Sequence, residues 1–401
     1  MLGLGNCIPS STIVESYFST KSLFLDGSND YVDIGAGLDL GTADFSVSFW
    51  FKASEVTSSF FIQQYEDAND FWYIGVSADD KPTFYSKNGG TNTMTLTSST
   101  AVSENAWHHV VVTCDRSDGS TGLKVYVDGD PDGSSAASTT TLTNSGDVQF
   151  GLYTTNLFSE SKFLDEVAMW DTVLSSTAVT ALYNDGVPTN LSVADGDYVA
   201  QGDLLGWWRM GDGIYDDLDQ GASQTTHGNG FITDQNNPGF GSDMFDSGKG
   251  TFDSGTTGWS GWSNNTIANV DNQLEVTYVD NILGVKALLN VSGPLDDNLT
   301  IGKVYMLQFD AKYTGGSSGV HARITTGEHV PATSDFTTTM ETYKLYFKAS
   351  LSTGNVFHLH DMAADNVVTI DNVSIREANG YPGMVIGQVA SFSGDFSNEF
   401  N

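Results

Sequence analysis

What most limits the folding options of this chain is the recurrence, through nearly its whole length, of short apolar runs closed off by Gly, Asn, Asp or Ser. In the first half these runs are SLFLDG, YVDIG, FSVSFWFKA, FFIQQY, FWYIGVS, PTFYSK, HHVVVTC, KVYVDG, DVQFGLY and, after a gap, LLGWWRMG. A period of two is plain within FSVSFWFK, where Phe45, Val47, Phe49 and Phe51 share one side and Ser46, Ser48 and Trp50 the other. KVYVDGD closes on Asp128-Gly129, a hairpin signal. One helix is expected, after Leu174. Ser175 or Ser176 caps it, Ala178, Val179, Ala181 and Leu182 fill it, and Gly186 ends it, with Pro188 beyond.

The same pattern restarts near residue 245 with QLEVTYV, VKALLNVS, VYMLQFDAKY, GVHARITT, YKLYFKAS, NVFHLHDM and VVTIDNVSIRE. Tyr305, Leu307, Phe309 and Ala311 alternate there with Met306, Gln308 and Asp310. At 401 residues the chain is too long for one compact sandwich and suits two. The expectation is therefore an all-β protein: two tandem antiparallel β-sandwiches of jelly-roll type, with one short helix in the first. The divisions are an N-terminal docking segment (1–19), a first sandwich with an irregular C-terminal extension (20–240), a second jelly roll (241–380) and a C-terminal tail (381–401) that is either disordered or docks on a partner.

Charge removes several functions. With 50 acidic against 16 basic residues, a formal charge of −34, the chain offers no cationic surface for nucleic acid or anionic membranes. No run reaches transmembrane length, and the N-terminus has no basic leader, so it reads as a poor secretory signal. The two cysteines, Cys7 and Cys114, set up neither a disulfide framework nor a zinc pattern. Acidity suits a salty environment as well as hard cations such as calcium.

The segments SLFLDGSNDYVDIG, FSVSFWFKAS, NAWHHVVVT, LKVYVDG, FLDEVAMWDTVLS and LLGWWRMGDG, in that order, resemble the laminin-G/concanavalin A-like lectin superfamily over roughly residues 20–215. GTFDSGTTGWSGW, VYMLQFDAKY, YKLYFKAS and TIDNVSIRE resemble carbohydrate-binding modules of the cellulose- and xylan-binding jelly-roll type, over roughly 245–378. The resemblances imply sandwiches that bind sugars, bind proteins or serve as scaffolding. The second also implies a structural calcium, with its C-terminal acidic ligand falling on Asp371.

Site candidates follow from chemistry. Sugar rings stack on flat aromatics beside polar groups, which selects Trp72 and Tyr73 in the first half and Trp259, Trp262 and Tyr278 in the second. Clustered loop carboxylates, relieved either by a cation or by solvent, select Asp26 and Asp30, then Asp212 and Asp216, as calcium ligands, beside the Asp371 that the resemblance implies. His108 and His109 are neighbours on a strand, face opposite ways and read as structural. His358 and His360 share a face near Asp361 and fit a polar or sugar-facing sheet surface, with a transition-metal pair as the alternative. The glucanases of the lectin-like superfamily carry E-x-D-x-E on one strand. Here Asp165 and Glu166 are adjacent, so strand alternation points them apart, and no catalytic residue is assigned. The expected function is a non-enzymatic surface protein of a tailed-phage virion, a capsid decoration or fibre-like protein. It would contact capsid or tail proteins, form homo-oligomers, and bind host or environmental glycans. The alternatives are a secreted or cell-surface carbohydrate-binding protein of a bacterium and, third, a glycan-cleaving enzyme.

Overall fold

The computed structural model describes residues 19–393 apart from 28–29, 57–58, 153–161, 218–229, 247, 281, 317, 327–331 and 387–390. The docking segment expected at 1–19 falls outside the described residues except for Ser19. Four antiparallel sheets form two face-to-face pairs. In the first pair, one sheet runs Asp130–Ser135, Leu123–Val127, His108–Cys114, Phe45–Ala53, Lys162–Trp170, Ser22–Leu25 and Ser391–Ser393, with Leu204–Trp208 also paired to Lys162–Trp170. The facing sheet runs Gly230–Ile232, Gly383–Ile386, Tyr31–Gly35, Asp147–Phe150, Phe60–Tyr65, Phe71–Val76, Pro82–Asn88 and Thr91–Thr97.

Alternation decides what fills the space between. Phe45, Val47, Phe49 and Phe51 all enter the central core with Phe61, Trp72, Ile74 and Phe84. The opposite side of the same strand is buried too, because the helix Ser176–Tyr183 and the segment after it cover that sheet. There Val111, Tyr126 and Trp170 pack against Ala178, Val179, Leu182 and Tyr198. Ser175 caps the helix, its Oγ accepting from Ala178 N at 3.1 Å. The left-handed closing residue is Asn184, at φ 45°, two positions before the expected glycine.

The second pair consists of a four-stranded sheet (Trp259–Gly261, Val285–Leu288, Val356–His360, His321–Thr325) and a five-stranded one (Thr266–Val270, Gln273–Thr277, Val367–Glu377, Val304–Thr314, Glu341–Lys348). Tyr305, Leu307, Phe309 and Ala311 lie in its core, as their alternation predicts.

The sequence sets residues 381–401 apart as a tail, and here the structure differs. Gly383–Ile386 is an interior strand of the first sandwich, between Tyr31–Gly35 and Gly230–Ile232. Ser391–Ser393 pairs with Ser22–Leu25 in the opposite sheet. The approach to that strand is fixed by Asp234, which accepts from Tyr381 N, and by Tyr381 O, which accepts from Trp208 Nε1 at 2.7 Å. The apolar content of MVI finds burial in the first lobe, which a local reading cannot see.

The returning strand also ties the lobes together. Val304, Met306 and Tyr346 of the second sandwich pack on Phe231, Ala378 and Met384, with the Phe231 and Tyr346 rings parallel at 4.4 Å. Beside them Lys348 Nζ reaches both Asp33 and Asp147, each at 2.9 Å. Burial lowers the Lys348 pKa, but the two carboxylates outweigh it and leave the ammonium stabilised.

Candidate functional site

In the strand Phe71–Val76, Trp72 and Ile74 point into the core, which leaves Phe71 and Tyr73 on the outer face. Register places Tyr73 opposite Tyr85 and Phe71 opposite Tyr65. The Phe71 and Tyr73 rings lie 6.3 Å apart at 7° between planes, and Tyr73 and Tyr85 lie 5.5 Å apart at 22°. Phe60 meets Tyr73 edge-on at 4.6 Å. The result is a tiled aromatic strip on the outer face of the sheet. Beside it, Gln63 lies opposite Tyr73, buried at 1% exposed and donating to Gln149 Oε1 at 3.0 Å, while the exposed Asn92 accepts from the Tyr85 hydroxyl. Tyr73, selected from the sequence, belongs to this strip. Trp72 does not: it is fully buried and its Nε1 donates to Gln64 Oε1 at 3.0 Å. Tyr85, Phe71, Tyr65 and Phe60 were not selected; alternation across FWYIGVS and PTFYSK was the signal available for Phe71 and Tyr85.

In the second sandwich Trp259 is likewise a core residue, 7% exposed, packed on Phe252 and Phe357 with its Nε1 donating to Lys249 O. Tyr278 is half-buried against the same core. Trp262 is the platform candidate that reaches an outer surface. It is half-buried, Lys286 Nζ sits 5.6 Å from its ring centre, and His358 lies 5.7 Å away. Phe357, Leu359, Ala322 and Ile324 point inward, so His358, His360, His321 and Arg323 share the outer side of the four-stranded sheet. His358 Nε2 contacts Thr325 Oγ1 at 3.1 Å, and burial lowers its pKa to about 4, keeping the ring neutral.

Four of the five carboxylates selected for calcium take backbone or side-chain donors, and the backbone of the fifth, Asp26, donates to one of them. Asp30, 2% exposed, accepts from Asp26 N at 3.1 Å. Asp212 accepts from Thr20 N, Thr20 Oγ1 and Lys21 N, so it pins the start of the first strand. Asp216 closes a loop by accepting from Gly211, Gly213 and Thr233 amides, and burial raises its pKa. Asp371 lies opposite Asp310 and accepts from Gln273 Nε2 and Asn372 N. Among the described residues no three of these five converge on one point.

At Asp165-Glu166 the strand alternation assumed from the sequence fails. A bulge interrupts pairing between Asp165 and Ala168, and Glu166 has φ 47°. Leu164 and Val167 therefore both face the central core, while Ala168 faces the helix side. Both carboxylates are enclosed by protein groups. Asp165 is 0% exposed and accepts from Ser19 Oγ at 2.5 Å; Glu166 is 4% exposed, accepts from Trp207 Nε1 at 2.6 Å and pairs with Arg209 at 3.2 Å. Burial first, and then the Glu166 charge, raise the Asp165 pKa well above the ordinary range. His108 and His109 are structural: His108 Nδ1 meets Asp128 at 2.8 Å, and His109 Nε2 meets Ser48 Oγ at 2.7 Å.

Where the sandwiches meet, Ile34, Ile301, Val304, Ala378, Tyr381 and Pro382 help to line a cleft of about 240 Å³. That is small for a ligand pocket and has few convergent polar groups.

Residues 26–180 match a laminin-G family model described as the Concanavalin A-like lectin/glucanases superfamily. Over that span the first sandwich is similar to concanavalin A-like domains. That superfamily's description takes in both lectins and glucanases, so the similarity alone does not separate binding from cleavage. No curated protein matches the chain. Among solved structures, the heptameric SAP-like pentraxin of Limulus polyphemus is 15% identical, with 42% of this chain and 83% of that one covered at a TM-score of 0.35. Domain 4 of AbnA, a GH43 extracellular arabinanase from Geobacillus stearothermophilus solved with arabinotriose, is 17% identical over 40% of this chain and 76% of that one, at 0.32. The CBM22-1 xylan-binding domain of Paenibacillus barcinonensis Xyn10C is 11% identical over 36% of this chain and 97% of that one, at 0.28. In the first sandwich the aromatic strip and the enclosed Asp165-Glu166 pair are the two features that bear on function. Among the described residues no helix is long and apolar enough to cross a membrane.

Proposed function

We propose that this protein is a non-catalytic glycan-binding protein that uses the half-buried Tyr73 and Tyr85 rings, backed by the buried Phe71, as its sugar platform. The near-parallel rings of that strip carry the reading. Pyranose rings present an apolar face that stacks on aromatics, while an exposed amide such as that of Asn92 suits the hydroxyl rim. The non-catalytic part rests on Asp165 and Glu166, whose carboxylates are occupied by protein donors and closed to a substrate. The acidic, lectin-like character suits an exposed particle surface, and a virion is the setting we propose. Immunogold labelling confined to host cell envelopes would move the protein to the secreted class. Calcium remains a proposed structural ion.

The test is a glycan array probed with the whole chain, with calcium and with a chelator. Tyr85→Ala is expected to weaken the strongest signal at least about tenfold, in line with about 1–1.5 kcal/mol for one stacked ring, at unchanged Tm. Equal binding by the variant would remove the strip from the site. Binding that vanishes with the chelator would make the lectin calcium-dependent, and release of reducing sugar from a bound glycan would overturn the non-catalytic reading.

A further inference from the structure

We propose that the second sandwich carries a divalent transition-metal site formed by His321, His360 and Asp361, with Asp335 as a fourth ligand. The strands His321–Thr325 and Val356–His360 pair so that His321 and His360 stand directly opposite each other, their ring centres 5.5 Å apart. Asp361 follows His360 with φ 57°, a left-handed turn that folds its carboxylate back toward the two imidazoles. The ligating atoms of the three residues all lie within 4.8 Å of one another. His321 Nδ1 is 3.8 Å from Asp361 Oδ2 and 3.7 Å from Asp335 Oδ1. A tetrahedral zinc with bonds of about 2.0–2.1 Å sets its ligands roughly 3.4 Å apart, so small side-chain rotations close this set around one ion.

His360 supplies a second observation. Its Nδ1 is buried and lies 2.8 Å from Asp361 Oδ1, so the imidazole and the carboxylate already stand side by side. A nitrogen and a carboxylate held side by side in this way, with His321 beside them, are placed to serve as co-ligands of one ion. The donor set of two imidazoles and two carboxylates suits zinc and its neighbours better than calcium, which takes six to eight oxygens.

One group competes with the ion. Arg323 Nε donates to His321 Nε2 at 2.9 Å, which leaves the ring proton on Nδ1, donated to Gly319 O at 3.0 Å. Metal binding at Nδ1 moves that proton to Nε2 and requires Arg323 to let go. The guanidinium therefore holds the site shut until the ion displaces it, and its removal strengthens binding. This site stands independently of the glycan reading, since it lies in the other sandwich and needs no sugar.

The experiment is calorimetric titration of chelator-stripped whole protein with zinc chloride, and separately with calcium chloride, followed by cobalt(II) absorption spectroscopy. One zinc per chain is expected, with a tetrahedral cobalt spectrum and no calcium isotherm at these residues. His360→Gln is expected to weaken zinc at least about tenfold, and Arg323→Gln to tighten it. His358→Gln alters a ring on the same face outside the set and is expected to leave zinc unchanged, which separates ligand loss from a disturbed sheet. Absence of zinc binding by the wild type, or zinc binding indifferent to His360→Gln, overturns the proposal. Equal losses in His358→Gln and His360→Gln also overturn it.

Discussion

His109 shows how far a polar residue on a strand can depart from its solution behaviour. Trp50 stacks on its ring at 4.8 Å, Tyr183 of the helix lies parallel at 6.2 Å, and only 1% of the residue reaches solvent. Burial lowers its pKa from 6.5 to about 3, against a smaller opposing effect from Asp128. The unfolded chain therefore takes up a proton near pH 6.5 that the folded chain refuses until about pH 3. Stability from this residue is complete above pH 6.5 and falls steadily as the pH drops below it. At pH 5 the loss amounts to about 2 kcal/mol, from about 1.4 kcal/mol per pH unit. His109→Gln, which keeps a polar partner for Ser48, is expected to flatten this part of the stability profile measured by denaturant unfolding between pH 7 and pH 5. An unchanged slope would show that other groups set the acid sensitivity. The same scale explains which site residues were legible. Tyr73 lies on the outer face and Trp72 in the core, a distinction hard to read because FWYIGVS carries aromatics on both faces, so parity separates the two sets without saying which is inside. Asp165 and Glu166 were misread because a bulge is a one-residue insertion with no composition of its own.

Strands with apolar alternation were legible, and so was the one helix. Those without it were missed: Asp130–Ser135 contains no large apolar side chain and exists as the second arm of a hairpin. Its partner announces it instead. Asp128 and Gly129 have φ of 50° and 84°, the paired positive values of a type I′ turn, as the dipeptide foretells. A Cβ at Gly129 would also lie 2.9 Å from Tyr183 Cδ1, so the turn needs glycine for its conformation and for space. Gly129→Ala is expected to destabilise by about 2 kcal/mol, seen as a lower denaturation midpoint at unchanged slope. A midpoint within experimental error of the wild type would show that the helix gives way without cost. The imidazole set is a different kind of miss. His360 was visible beside His358, but its true companion, His321, is named by cross-strand register, which no short window contains.

At the scale of the molecule, the second sandwich is an insertion between two parts of the first. Gly383–Ile386 separates Tyr31–Gly35 from Gly230–Ile232, so its removal leaves two unpaired edges beside the central core. A chain ending at Pro382 is expected to melt on the order of 10 °C lower in its first transition and to aggregate on heating, as calorimetry and light scattering will show. If only the second sandwich loses stability, the strand is an accessory. Lys348 adds a charged clasp to the same junction, beside the stacked Phe231 and Tyr346 rings.

This closure has a consequence for how the protein is made. Translation delivers the chain from its N-terminus, and most domains can fold as soon as they leave the ribosome. Here the lobe that is synthesised first must wait, with a gap in one of its sheets, until the strand Gly383–Ile386 has followed the whole of the second lobe. The later lobe meanwhile completes its own strands without help. Order of birth and order of maturation are thus inverted: the first lobe to be made is the last whose sheet can close.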